Sequence, residues 1–266
     1  MIQLYHLFIY QPLFNLLVFF YNTVSFQDIG IAVVLMTIFI KLILYPLSVK
    51  SIKAQKSLQD LQPKVDALKA KYKGNQEIMG RELMALYKTE KISPASSCLP
   101  LLIQLPFLIA VYNVFRDGLK PESLSALYSF VYNPGQINAI AFGFLDFSAK
   151  SIPLAALSAL AQYWASSMLI TKRQPKVAGA KDENLTSALN KQTLYFMPIF
   201  TFVIGISLPA GLTFYWFLST LLTALQQLYV FKKHFPKNQT VVVPTDSLPA
   251  KIKEIKNNDT NQQKLN

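Results

Sequence analysis

Five apolar runs, divided by polar and mostly basic chain, constrain this sequence more than any other feature in it. They cover residues 29–47, 99–115, 152–170, 194–208 and 212–231. A helix of about 20 mostly apolar residues is what a hydrocarbon core of roughly 30 Å demands. With 52% of 266 residues hydrophobic and only 15% charged, and the charges gathered between the runs, a water-soluble core is the wrong frame. The expected fold is an all-α integral membrane protein with five transmembrane helices, whose spans with their flanks are 28–47, 98–116, 151–171, 193–208 and 211–231. Only Leu208-Pro209-Ala210-Gly211 links the last two, so they should form a tight hairpin turning at one membrane face. The fourth run is short, and thinning of the bilayer opposite it is expected.

Lys and Arg are retained on the cytoplasmic side of a membrane. Residues 48–97 carry ten of them, 171–191 carry five, and the chain from Lys232 onward carries seven. The alternate segments hold only Arg116, Lys120 and Lys150. With Lys41 set aside, this split places the amino terminus outside and the carboxyl terminus in the cytoplasm after five crossings.

Residues 1–27 read less simply, because 13–21 is apolar and aromatic but follows Pro12 and contains Asn15. An interfacial helix on the outer face, a sixth span and a signal peptide are three readings of such a stretch. No Lys or Arg precedes Lys41, although a signal peptide and a cytoplasmic amino terminus would both call for positive charge. The amino-terminal interfacial helix is therefore the expectation.

Within 48–97, Leu58, Leu61, Val65, Leu68 and Tyr72 mark one helix face, and Met79, Leu83 and Leu86 mark a second beyond the break at Lys73-Gly74-Asn75. The segment reads as a cytoplasmic helical hairpin, serving either as a solvated connector or as a basic docking arm for lipid headgroups, ribosomal RNA or a partner. Residues 232–266 are rich in Lys, Asn and Gln and contain Pro244 and Pro249, so a mostly disordered basic tail is expected. Positive-inside anchoring explains its charge more simply than contact with a ribosome.

Lys41 lies six residues from the inner end of the first run, about 9 Å at 1.5 Å per residue. A lysine deep in a span costs on the order of 2.5–3.5 kcal/mol on insertion scales, so it should face a wet or protein-lined cavity or else snorkel to the headgroups. Other polar residues interrupt the runs: Gln104, Asn113, Gln162, Ser219, Thr220 and Thr223, with Gln226 and Gln227 further along. Singly they read as interhelical hydrogen-bonding groups, and together with Lys41 they can line a hydrophilic groove. Asp28, Asp117 and Asp146 all fall at span boundaries, so no acid inside a span neutralises Lys41. The lone Cys98 and the distant His6 and His234 offer neither a disulfide nor a ligand cluster, and no nucleophile–base pair or Gly-rich phosphate loop is visible. Neither an enzyme nor a cofactor is expected.

Four stretches carry a family resemblance: "IKLILYPLSVKSIKAQKSLQDLQPKV" from Ile40, "CLPLLIQLPFLIAVYNVF" from Cys98, "YFMPIF" from Tyr195 and "LPAGLTFYWFLSTLLTALQQ" from Leu208. Over about 28–231 the chain resembles the YidC-type insertases, whose organellar relatives are the Oxa and Alb insertases. The resemblance implies a five-helix core with a groove open to the cytoplasm and to lipid, closed on the outer side, with the hairpin below it. It implies a membrane protein insertase and chaperone of the bacterial plasma membrane. Its partners would be nascent membrane proteins and membrane lipids, with the ribosome and the Sec translocon as further candidates, and no DNA. Tyr215 and Trp216, in the last stretch, join Lys41, Gln104, Asn113, Gln162 and Ser219 as the expected groove residues.

Two departures stand out. Family members place Arg where this chain has Lys41, which keeps the charge but loses the planar fork that pairs a carboxylate through two bonds. Ser93 precedes Pro94 where Asn is usual. A short form without the large extracytoplasmic domain is expected. In the mechanism these features suggest, a substrate's hydrophilic outer segment enters the groove while its apolar helix slides into lipid. A small ion- or proton-coupled transporter is the rival reading, but neither an internal repeat nor a membrane acid favours it. A purely structural assembly factor beside the translocon is a third.

Overall fold

The computed structural model describes residues 2–72, 74–93, 99–118, 120–169 and 192–234. Helix dominates it. Helix α1 is continuous through Ile2–Tyr5, a π-helical stretch His6–Tyr10 and Gln11–Thr23. Helix α2, Ile29–Ile43, starts where the Asp28 carboxylate accepts from the backbone N–H groups of Gly30 and Ile31, satisfying two of the donors a helix start leaves open. It stops sooner than the expected span, which ran to residue 47. Pro46 lacks an N–H and its ring opposes a straight continuation, so α3, Tyr45–Asp60, leaves with a bend of 70° at Leu44.

Helices α4, Gln62–Lys71, and α5, Gln76–Thr89, follow, with Gly74 between them at a φ of 92° and the Asn75 side chain capping α5 at Ile78. Lys64 Nζ meets Glu90 Oε1 at 2.5 Å and ties the two together. Leu58, Leu61 and Val65 are buried as their spacing suggests, whereas α5 buries no residue. Helix α6 comprises Leu99–Asn113 and a π-helical end, Val114–Gly118. A 3-10 turn at Pro121–Ala126 and a two-stranded antiparallel ribbon, β1 Ile140–Ala141 with β2 Leu145–Asp146, lead to α7, Ile152–Leu169. Helix α8 joins a π-helical Gln192–Phe196 to Met197–Gly205, and α9 runs Ala210–His234. The chain divides into two units, Met1–Val230 and Phe231–Asn266. The expectations for Lys73, Cys98, the basic segment 171–191 and the tail beyond His234 fall outside the described residues.

The apolar core lies at one end of the bundle, where residues 120–150 fold over the helix ends. Phe14, Leu17 and Val18 of α1, Val33 and Met36 of α2, and Val111 and Phe115 of α6 pack there with Phe147 of the loop and Leu212 of α9. The Ala210 N–H donates to Ala149 O at 2.7 Å and the Gly211 N–H to Phe147 O at 3.1 Å, pinning the α8–α9 turn to this loop. Asn15, the residue that broke the apolar run in α1, is buried and binds both the loop and its own helix: its Nδ2 donates to Gln11 O at 2.8 Å and Ala126 O at 3.2 Å, and its Oδ1 accepts from the Tyr128 N–H at 2.6 Å. Replacing it by Leu strands the Tyr128 N–H, while Ala126 O keeps the Gln11 amide, so Asn15→Leu should lose about 2 kcal/mol of stability, read as a lower thermal midpoint in detergent.

Helices α7 and α8 pack through small residues. A Cβ at Gly205 would lie 3.1 Å from that of Ala155, and Ser158 Oγ of α7 donates to Thr213 O of α9 at 3.1 Å. Close backbone approach of this kind is how helices associate where lipid removes the hydrophobic drive. The outward faces are apolar: Leu42 and Ile43 on α2, Leu102 and Ile109 on α6, and Ile199 and Val203 on α8 are exposed. On length and hydropathy, Gln3–Thr23 is the one described helix suited to cross a membrane alone. Ile29–Ile43 and Tyr45–Asp60 qualify only as a bent pair, and Leu102–Arg116 and Leu194–Gly205 are apolar but shorter.

Candidate functional site

A row of polar side chains runs along one face of α9 and meets α2 and α6. Tyr215, Ser219 and Thr223 stand four residues apart, the interval at which helical side chains stack. Tyr215 and Ser219 are buried, and Lys41, reaching across from the last turn of α2, is half-buried. Lys41 Nζ donates to Thr223 Oγ1 at 2.8 Å, and that hydroxyl donates to Ser219 O at 2.8 Å. Ser219 Oγ lies 3.4 Å from Gln104 Oε1, whose amide Nε2 donates to Tyr215 OH at 3.0 Å. The bonds form one connected chain: Lys41, Thr223, Ser219, Gln104, Tyr215. Among the described residues no carboxylate pairs with Lys41.

Thus four of the seven expected groove residues, Lys41, Gln104, Tyr215 and Ser219, come together, and three do not join them. Asn113 lies two and a half turns along α6 from Gln104, where its Nδ2 donates to Tyr5 OH at 3.2 Å, at the loop end of the bundle. Gln162 turns to its own helix, with Nε2 3.4 Å from Ser166 Oγ. Trp216 is half-buried, and none of the described hydrogen bonds connects it to the row. Thr223, named among the polar residues able to line a groove but not among the seven, is the one that holds the amine. Its spacing of four from Ser219 and eight from Tyr215 is the signal that would have included it.

Gln104 is the joint of this network, touching both Tyr215 and Ser219. Gln104→Leu leaves the buried Tyr215 hydroxyl without that partner and should cost about 1–3 kcal/mol. Adding Tyr215→Phe to it should recover part of the loss, because the hydroxyl that lost its Gln104 partner is then gone. Thermal unfolding of the two variants in the same detergent checks the pair.

A model of the 60Kd inner membrane protein family matches residues 19–238. The chain belongs to this family. It is 32% identical over 228 residues to a protein of Fusobacterium nucleatum named membrane protein insertase YidC, covering 85% of this chain and 98% of that relative. Proteins of the same name from Treponema denticola and Rickettsia canadensis are 33% and 31% identical over 207 and 228 residues, covering 76% and 84% of this chain. The chain spans 34% and 38% of their lengths, so it corresponds to a part of these longer proteins and to nearly all of the Fusobacterium one.

Proposed function

We propose that this chain is a membrane protein insertase in which a hydrophilic groove accepts the polar segment of a newly made membrane protein while its apolar helix passes into lipid. The connected row from Lys41 to Tyr215 carries this reading. It lies between helices whose outer faces are apolar, and the packed core at the loop end closes the bundle on one side. Groups of this kind replace part of the hydration that a peptide loses on entering hydrocarbon, where each unsatisfied polar group costs several kcal/mol. The insertase name of the relatives supports the same function, and none of them is named as a transporter.

In this reading α2, α6, α7, α8 and α9 are five crossings, with the loop end outside and the α3–α5 hairpin in the cytoplasm, in keeping with the distribution of Lys and Arg. Helix α1 lies across the outer interface. A helix of 21 residues is about 30 Å long, so in a crossing α1 one end would sit far from the loop. Instead Tyr5 bonds Asn113, Gln11 bonds Ala126 O and Tyr21 accepts from the Asn138 N–H, so the loop end meets α1 along its length. The basic hairpin faces the cytoplasm, suited to ribosomal RNA or lipid phosphate. The Sec translocon is a further partner in this scheme.

The test is reconstitution of the purified chain into protein-free liposomes, followed by addition of a single-span substrate with a short acidic outer segment. Protection of that segment from external protease is the expected result. Protection no greater than in empty liposomes, or flux of small ions in its place, would overturn the reading.

A further inference from the structure

Four aromatic side chains are strongly exposed at the loop end: Phe26 is 94% exposed, Phe144 81%, Tyr132 78% and Phe130 77%. The backbone holds them on one rim. The Asn22 side chain donates to Tyr132 O at 2.6 Å, four residues before Phe26, and the Asp28 carboxylate accepts from the Phe142 N–H at 2.6 Å, two residues before Phe144. Phe26 has a φ of 52° and Phe142 a φ of 55°, a left-handed conformation that bulky residues rarely adopt. Strain of this sort costs on the order of 1 kcal/mol or more per residue and persists where the surrounding structure imposes it.

We infer that this rim is a lipid-docking surface, in which Phe26, Phe130, Tyr132 and Phe144 enter the headgroup and upper acyl region of the adjacent leaflet. The geometry favours a fluid partner over a folded one. A protein interface packs its anchors into pockets over a contiguous patch, whereas these rings project from four points of the chain, Phe130 and Phe144 each backed by one neighbouring ring, and a conformable medium closes around them. Along the chain the rim adjoins helices that expose further apolar side chains, Phe19 and Val24 ahead of Phe26 and Ile31, Ile38 and Phe39 on α2. Aromatic side chains are the ones that collect at membrane–water boundaries. The rim would seat the loop end at a fixed depth, and this inference does not depend on the groove carrying substrate.

The test uses the single cysteine of the sequence. In a full-length Cys98→Ser background, the variants Phe26→Cys, Phe130→Cys, Tyr132→Cys and Phe144→Cys are each labelled with a nitroxide and reconstituted into vesicles of phosphatidylethanolamine and phosphatidylglycerol. Collision rates with oxygen, which concentrates in lipid, and with a water-soluble nickel chelate report where each label resides. The rim predicts oxygen collisions exceeding nickel collisions several-fold at all four positions. Nickel-dominated collisions would place the rings in water, and labels shielded from both would place them against protein; either result overturns the inference. Because the four rings are mostly exposed, with Tyr128 beside Phe130 and Phe142 beside Phe144 as ring neighbours, the substitutions should leave the fold intact, which thermal unfolding of each labelled variant checks.

Discussion

Replacing Lys41 by Ala should lower insertion of a single-span substrate with a short acidic outer segment by about tenfold or more, while Lys41→Arg should match or exceed the native activity. The amine reaches Thr223 Oγ1 at 2.8 Å without a carboxylate partner among the described residues, so its charge remains available to a substrate. A hydrogen bond to a charged group contributes about 1.5–3 kcal/mol, which corresponds to roughly tenfold to a hundredfold in rate or occupancy. Arginine restores the charge and adds a fork suited to carboxylates, so it should match or exceed the native residue for acidic segments. The liposome assay with protease protection reads both variants, and full activity of the Ala form would remove Lys41 from the mechanism. A substrate with a neutral outer segment should respond less.

The largest loss of stability should follow from Gly211→Ala. A Cβ at this position would overlap the ring of Phe115. That ring has nowhere to go, because Phe115 is buried and meets Phe147 edge-on at 5.7 Å, while the Gly211 N–H is itself bonded to Phe147 O. Overpacking of a closed core costs about 1–3 kcal/mol and at times more. A loss near 3 kcal/mol should depress the thermal midpoint by roughly 5–10 °C. Gly80 in α5 is the control, since a Cβ there meets nothing within 4 Å. Gly80→Ala should be neutral or stabilise by up to about 1 kcal/mol through helix propensity. Equal midpoints for the two variants would show that the α8–α9 turn is not locked as described.

Much of the helical order was legible because apolar runs and breaks are local signals. The turn at Pro209, the break at Gly74 and the buried face Leu58, Leu61 and Val65 all follow from spacing. What spacing could not supply was how far a run stays straight, and Pro46, read as part of a span, instead marks its bend. Which of the expected groove residues come together was legible only in part, for a related reason. Position along a helix does not say which face a side chain takes, and Asn113 and Gln162, polar residues within apolar runs like Gln104, turn to Tyr5 and Ser166. Thr223 had the same composition signal as Thr220, and only its register with Ser219 and Tyr215 sets it apart. Asn15 seemed a flaw in an apolar stretch, and its loop partners lie more than a hundred residues away.

The 70° bend after Ile43 has an electrostatic effect of its own. By ending α2 two residues beyond Lys41, it puts this residue in the last turn of the helix, near the negative pole of its macrodipole. Such a pole is worth about 0.3–1 kcal/mol to a cation, an appreciable fraction of the roughly 2.5–3.5 kcal/mol that a lysine within a span costs. A straight helix would carry that pole further from the amine, so straightening the corner should make the lone positive charge harder to keep.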